Sequence, residues 1–282
     1  MNRLITAIIL IGSIPAIGGD LSSETTSAWE HYLGSVDARL KVRLAGEKPF
    51  LWMDEEPARV NRVHQGEVVV SSLGAHEWRA VPHGLIHDWI GAVFIPGVKV
   101  GDVLAVVRDF DRYKDFYKPA VVDSKSLDQF EQENNFEIIW VQKVLFVNAA
   151  IDARYRATYY PVDASRWYSL ASSTRIQQIE NYRQPDEKKL AADNGCGCLW
   201  RVYSIARFEE RDGGVYVEVE AVALSRDIPA SLRWMVAPVV SRISRNGVAI
   251  SLRQTRDAVR LTADRVTSAR LTAQQIQLRR TR

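Results

Sequence analysis

Between Val215 and Leu224 the chain alternates without a break. Val215, Val217, Val219, Ala221 and Ala223 fall on one side, and Tyr216, Glu218, Glu220, Val222 and Leu224 on the other. A period of two predicts a strand with one apolar face. The preceding Arg211-Asp212-Gly213-Gly214 suits a hairpin turn. Ser225 to Pro229 ends the strand, with Asp227 as a helix N-cap and Pro229 in the first helical turn. The following helix carries Leu232, Met235, Val236, Val239, Val240 and Ile243, with breaks expected at Pro238 and at Ser244-Arg245-Asn246-Gly247. A second helix then places Val248, Leu252, Val259 and Val266 on one stripe, with Arg253, Arg256, Asp257 and Arg260 off it. A strand that feeds a long helix with an apolar stripe needs a curved sheet to bury that stripe.

At 282 residues and 46% hydrophobic content, the chain can build one large domain or two small ones. Its 37 basic and 34 acidic residues nearly cancel, so bulk nucleic-acid electrostatics are not implied. The two cysteines, in Cys196-Gly197-Cys198, are too close for an easy unstrained bridge. Two loop thiols or one labile small-ring disulfide fit better than metal binding, which wants more ligands nearby.

Arg3, the apolar run Leu4 to Ile11 and the small-x-small pattern Ala16-Ile17-Gly18 read as a cleaved signal peptide over residues 1–18. The run is too short for a bilayer span of ~20 helical residues. The expected location is periplasmic or secreted. Residues 19–65 read as a helical extension. Ser27-Ala28-Trp29-Glu30 has the form of a capping box, Trp29, Leu33, Val36 and Leu40 follow at helical spacing, and Glu55 to Val63 is a second helical piece. No chemistry is assigned to this arm.

The main domain opens with a strand-like Glu67 to Ser72. A β segment, Gly84 to Gly97, follows. Behind it, Val103, Val106, Val107, Phe110, Tyr113 and Tyr117 share one helical stripe that Pro119 stops. A meander comes next: Phe136 to Val147, Ile151 to Tyr160, Arg166 to Ile179 and Leu199 to Glu209, with turns expected at Asn134-Asn135, Pro161-Val162-Asp163, Pro185-Asp186 and Asn194-Gly195.

Strand, helix, antiparallel strands, long helix is the helix-grip order. With it the chain resembles the START-like (SRPBCC, Bet v 1-like) superfamily, in particular exported bacterial members grouped with polyketide-cyclase and coenzyme-Q-binding START proteins. The residues that carry the likeness are Gly84 to Gly97 with its helix and Asp111-Arg112-Tyr113, then Leu199-Trp200-Arg201, then Gly213 to Glu218 running on to Leu224 to Pro229. The resemblance covers roughly Gly66 to Arg260 and implies an α+β fold: a curved antiparallel sheet wrapped around a long C-terminal helix, with an apolar cavity between them. Residues 66–260 are accordingly the ligand-binding domain and 261–282 a basic tail.

Such a sheet does not close its core completely. On Leu199 to Glu209 the apolar and small set is Trp200, Val202, Ser204, Ala206 and Phe208, and on the last strand it is Val217, Val219, Ala221 and Ala223. Small residues there leave room that Leu or Phe would fill. The expected cavity lining is Trp89, Phe94, Phe110, Trp140, Tyr155, Tyr159, Trp200, Val202, Ser204, Val219, Ala221, Val248 and Leu252. A ligand burying ~200 Å² of apolar surface gains roughly 5 kcal/mol before ordering costs. Along Arg154 to Tyr160, alternation leaves open whether the tyrosines (Tyr155, Tyr159) or the arginines (Arg154, Arg156) face inward.

Catalytic candidates are thin. Glu218 and Glu220 share a strand face, but Arg201 and Arg207 on the neighbouring strand make an outer ion-pair ladder the better reading. His83 and His87 with Asp88 lack a third metal ligand. No nucleophile elbow, phosphate loop or dinucleotide fingerprint is present. The resemblance transfers no catalytic residue, metal or cofactor. The tail (Arg260, Arg265, Arg270, Arg279, Arg280, Arg282, with Leu261 and Leu271 between them) is either a frayed helix or a contact to anionic lipid. The expected function is non-enzymatic binding or transport of a hydrophobic ligand, whether lipid, quinone or polyketide-like. A cyclase/aromatase-like enzyme using the same cavity, and an interaction module with a filled core, are the alternatives.

Overall fold

The computed structural model describes residues 21–74, 76–129, 133–144, 147–193, 199–227 and 241–265. The signal segment, the Cys196-Gly197-Cys198 motif, the helix expected from Pro229 to Val240, and Val266 with the tail beyond it lie outside these residues.

An N-terminal arm comes first: α1 (Ser23–Leu44), a 3-10 turn (Trp52–Glu55) and α2 (Pro57–His64). The N-cap of α1 is Ser22, whose Oγ accepts from the Thr25 N–H, so the helix starts earlier than the Ser27 capping box. Ten strands follow: β1 (Val69–Ser72), β2 (Arg79–Val81), β3 (Gly84–Pro96), β4 (Val121–Gln129), β5 (Glu133–Val144), β6 (Val147–Pro161), β7 (Arg166–Glu180), β8 (Lys188–Lys189), β9 (Arg201–Arg211) and β10 (Gly214–Arg226). Between β3 and β4 lie α3 (Val100–Val107), a 3-10 turn (Phe110–Arg112) and α4 (Tyr113–Phe116). A helix over 241–265, α5, closes the described chain. It runs unbroken through Ser244-Arg245-Asn246-Gly247, where a break was expected; a single glycine costs a helix only about 1 kcal/mol, and the burial of Val248 and Leu252 just beyond it offsets that.

All pairings are antiparallel, and the order across the sheet is β1-β3-β10-β9-β7-β6-β5-β4, with β2 on β3 and β8 on β7. The hairpin between β9 and β10 turns on Asp212 (φ 54°) and Gly213 (φ 75°), two successive left-handed residues that match the strand twist. Asn134 and Asn135 lie inside β5 rather than in a turn. The expected single helix to Tyr117 is broken after Val107. The Val107 carbonyl accepts from two phenols, Tyr113 Oη at 2.6 Å and Tyr159 Oη at 2.7 Å, in place of a further helical N–H. The element order and strand pairing, with α5 packed on the sheet, make this the helix-grip fold.

Strand parity sorts the sheet into two faces. The inner face packs Trp89, Val93, Phe136, Tyr155, Phe208 and Val217 with α3 and with Val248, Leu252 and Val259 of α5. The outer face is covered by the arm. Trp29, Val36 and Leu40 of α1 lie on Ile86, Ile205, Val222 and Leu224. Leu51, Trp52 and Met53 lie on Ile90, Ala92, Phe94 and Tyr216.

Candidate functional site

The two faces of the central strands are buried in opposite ways. On β10 the outer residues Tyr216, Glu218, Glu220, Val222 and Leu224 are all at most 2% exposed. Their inner neighbours Val219, Ala221 and Ala223 are only half-buried, as are Val202, Ser204 and Ala206 on β9 and Ala171 on β7. The chain thus seals its charged face and leaves an apolar, small-residue face half open in the middle of long paired strands.

That opening, called the trough below, covers the half-buried Val219, Ala221 and Ala223 of β10, Val202, Ser204 and Ala206 of β9 and Ala171 of β7, and is bounded by buried Trp89, Ser169, Ala157, Tyr159 and Asn134. Register carries one row from Trp89 through Ala221, Ser204, Ala171 and Ala157 to Asn134. A parallel row runs Gly91, Val219, Ala206, Ser169, Tyr159. Beyond the second row the floor is closed by Val93, Val217 and Phe208, each at most 1% exposed. On one flank α5 sits hard on β3: a Cβ built on Gly91 would lie 2.8 Å from Leu252 Cδ1 and 3.0 Å from Val248 Cγ1. On the other flank, Phe136 stacks between Phe110 (4.2 Å) and Tyr155 (5.3 Å).

Of the residues expected to line a cavity, Trp89, Phe110, Tyr155, Tyr159, Val248 and Leu252 are buried on the inner face, and Trp140 packs half-buried against them. Val202, Ser204, Val219 and Ala221 floor the trough. Phe94 and Trp200 lie on the opposite face. Phe94 stacks on His64 at 4.9 Å and lies 4.5 Å from Tyr216. Trp200 precedes the first residue of β9, so the strand's alternation does not extend to it, and it packs beneath α1. In β6 the tyrosines Tyr155 and Tyr159 point inward, and Arg154 and Arg156 are exposed. Ala157, Ser169, Ala171 and Asn134 were missed. The alternation Trp167, Ser169, Ala171, Ser173 carried a signal, whereas Asn134 read as a turn residue.

The inner-face titratable groups are moved away from neutrality. Burial raises the phenols of Tyr113, Tyr117, Tyr155 and Tyr159 above their ordinary value. Burial also lowers His87, whose Nε2 is 3.1 Å from Ser225 Oγ, to about 4. His83 is exposed in a turn, and no cluster able to hold a metal occurs among the described residues.

The densest charge cluster lies on the outer face, under the arm. Glu218 accepts from Arg207 Nε at 2.8 Å and from the backbone N–H groups of Trp52 and Met53, each at 3.0 Å. Arg39 Nη2 bridges Glu220 at 2.7 Å and Asp88 at 2.8 Å, and Tyr32 Oη donates to Asp88 at 2.7 Å. The expected ladder is therefore present for Arg207 but sealed from solvent, while Arg201 pairs with Asp193. Its carboxylates have no open access for a substrate, so the cluster fastens the arm to the sheet.

No family model and no curated protein matches the chain. Among solved structures it is similar to a STAR-related lipid transfer protein fragment from Xanthomonas axonopodis (TM-score 0.42, 16% identity, 66% of this chain and 99% of that one). It is also similar to human STARD10 (0.44, 10%, 71% and 80%) and to the Zhui aromatase/cyclase from Streptomyces (0.38, 13%, 62% and 96%). The helix-grip fold follows from the strand order and from α5 packed on the sheet.

Proposed function

We propose that the chain binds or carries a hydrophobic small molecule (lipid, quinone or polyketide-like) in the trough between its sheet and α5, without catalysing a reaction. The burial asymmetry of β10 carries this reading. An apolar floor left half open at the centre of a large sheet is surface that a ligand can cover, and covering it is favourable by about 25 cal/mol per Å². Binding is favoured over cyclase-like chemistry because general acid–base catalysis works best with groups titrating near the working pH. Here the phenols are raised and His87 is lowered. Native mass spectrometry of the full chain purified from a membrane-containing extract tests the reading. A co-purifying apolar molecule is expected; a protein that stays empty and refuses apolar probes would end it.

Export belongs to the same proposal. The Arg3, Leu4 to Ile11 and Ala16-Ile17-Gly18 pattern supports cleavage after Gly18. That cut leaves the Ser22 cap of α1 intact. N-terminal sequencing of the secreted or periplasmic protein should begin at Gly19, and a retained Met1 would refute it. The basic tail is proposed to touch anionic lipid. Loss of vesicle co-sedimentation on removing residues 266–282 is the expected outcome.

A further inference from the structure

The segment between β3 and β4 carries five cationic side chains: Lys99, Arg108, Arg112, Lys114 and Lys118. Four of them have a carboxylate within reach. Lys99 pairs with Glu210 at 2.7 Å, Arg112 with Asp109 at 3.9 Å, Lys114 with Asp123 at 3.4 Å and Lys118 with Asp115 at 3.4 Å. Arg108 has no carboxylate partner among the described residues. Its guanidinium lies over the ring of Tyr159 instead, 5.0 Å from the centroid, and the residue is half-buried. As the C-cap of α3 it is a favourable cation for the helix dipole. That explains a positive charge at this position, and not its partial burial against an inward-facing aromatic. A cation–π contact is worth about 0.5–1 kcal/mol at such a place and leaves the charge uncompensated.

Tyr159 brings that charge to the edge of the trough. Its register partner on β7 is Ser169, followed by Ala206 on β9 and Val219 on β10, and the last two are half-buried. The Tyr159 hydroxyl donates to the Val107 carbonyl, which ties the last turn of α3 to β6. At the other end of the helix the Val100 N–H donates to Glu210 of β9 at 2.8 Å. α3 thus runs from β9 to β6 and delivers Arg108 to the β6 side of the opening. No carboxylate of the floor meets it there. The inner positions of β9 from Val202 to Phe208, of β10 from Val215 to Ser225 and of β7 from Trp167 to Ser173 hold no Asp or Glu.

Resting on the binding function proposed above, we infer that the ligand is an amphipathic monoanion, a carboxylate on an apolar body, whose carboxylate pairs with Arg108 while the body covers Ala206, Val219, Ser204 and Ala221. A guanidinium is a planar fork that holds a carboxylate through two parallel N–H···O bonds. One cation compensates one charge. A dianionic head would carry a second charge into a half-buried place without a counter-ion, and a cationic head would meet a like charge. Arg108 is then the specificity-determining residue, and the Tyr159 ring is the platform that positions its guanidinium.

Displacement of the neutral fluorophore N-phenyl-1-naphthylamine from the full chain at mildly alkaline pH tests this, with dodecanoate, dodecan-1-ol and dodecyltrimethylammonium as competitors of equal chain length. Dodecanoate should displace the fluorophore at about tenfold lower concentration than the alcohol, and the trimethylammonium should be the weakest. Arg108→Gln should remove about tenfold of the dodecanoate affinity and leave the alcohol unchanged, whereas Arg108→Lys should keep part of it. Three results would overturn the inference while leaving apolar binding intact. Dodecanoate could prove no stronger than the alcohol. Arg108→Gln could keep the full dodecanoate affinity, which would put the anion on another cation. Acid and alcohol could lose affinity equally in that variant, the mark of a merely structural role. Failure of the wild-type chain to bind the fluorophore or any competitor would instead remove the binding function itself. Should Arg108→Gln not fold, the order of the three competitors on the wild-type chain decides, and an alcohol that matches or exceeds the acid counts against the inference.

Discussion

Arg207 Nε lies 2.8 Å from Glu218 Oε1 across register partners on β9 and β10, and both side chains are at most 1% exposed. The pair belongs to a cluster of two arginines, Arg39 and Arg207, and three carboxylates, Asp88, Glu218 and Glu220. The excess negative charge is balanced by donors from the arm: Tyr32 Oη and the N–H groups of Trp52 and Met53. Removing Arg207 leaves the buried Glu218 with two backbone N–H donors and no cation, and leaves Glu220 to Arg39 alone. Arg207→Leu should lose about 3–5 kcal/mol of stability in urea unfolding. A loss under about 1 kcal/mol would mean that the layer admits water.

Adjacent residues on opposite faces should give opposing pH dependences. Burial and the nearby Glu220 charge push Asp88 from 3.8 up to about 6, against the pull of Tyr32 and Arg39. Above 3.8 the unfolded chain has released this proton while the folded chain keeps it, so stability falls as pH rises towards 6. His87 is lowered from 6.5 to about 4, so below 6.5 the unfolded chain binds the extra proton and stability rises with pH between 4 and 6.5. Relative to wild type, Asp88→Asn should steepen the rise with pH, and His87→Phe should turn the slope downward. Urea titrations from pH 4 to 7 measure both, and parallel curves for all three proteins would refute the assignment.

Filling the trough should abolish binding without harming the fold. Ala221 and Ala206 are half-buried small residues on its floor. Ala206→Leu combined with Ala221→Leu should weaken N-phenyl-1-naphthylamine binding at least about tenfold and change stability by less than about 1 kcal/mol. A packed site would respond the other way, with an overpacking cost of about 1–3 kcal/mol per residue.

Gly91 fixes the seat of α5. Its missing Cβ makes room for Leu252 Cδ1, Val70 Cγ2 and Val248 Cγ1, all within 3.0 Å of where that atom would stand. Gly91→Ala should cost about 1–3 kcal/mol. In a Leu252→Ala background the cost should shrink, because the two positions compete for one space. Strict additivity of the two substitutions in thermal or urea unfolding would show that the helix does not press on β3.

Period-two patterning was legible where one face contrasts with the other. β9 and β10 split as read from Val202 to Phe208 and from Val215 to Leu224. It was illegible towards the end of β3, where Ile90 to Ile95 are all buried and are apolar or glycine on both faces, so Phe94 offered no contrast with Val93 and Ile95. The strand β4 and the edge pieces β2 and β8 are too polar or too short to stand out from loop. The inward turn of Tyr155 and Tyr159 was open because tyrosine and arginine both present long side chains with polar tips.

From its order of residues alone this chain determined which side chains share a face, where the chain reverses and that a long helix follows the last strand, because those depend on local periodicity and turn chemistry. Only the tertiary structure decided which face is sealed. The arm reaches Glu218 from Trp52 across 166 positions of sequence and covers the charged side. The alanines opposite, with their short side chains, stay half-buried. No local pattern encodes a contact between segments so far apart, and that contact is what seals one face of an ordinary alternating strand while the other stays half-buried.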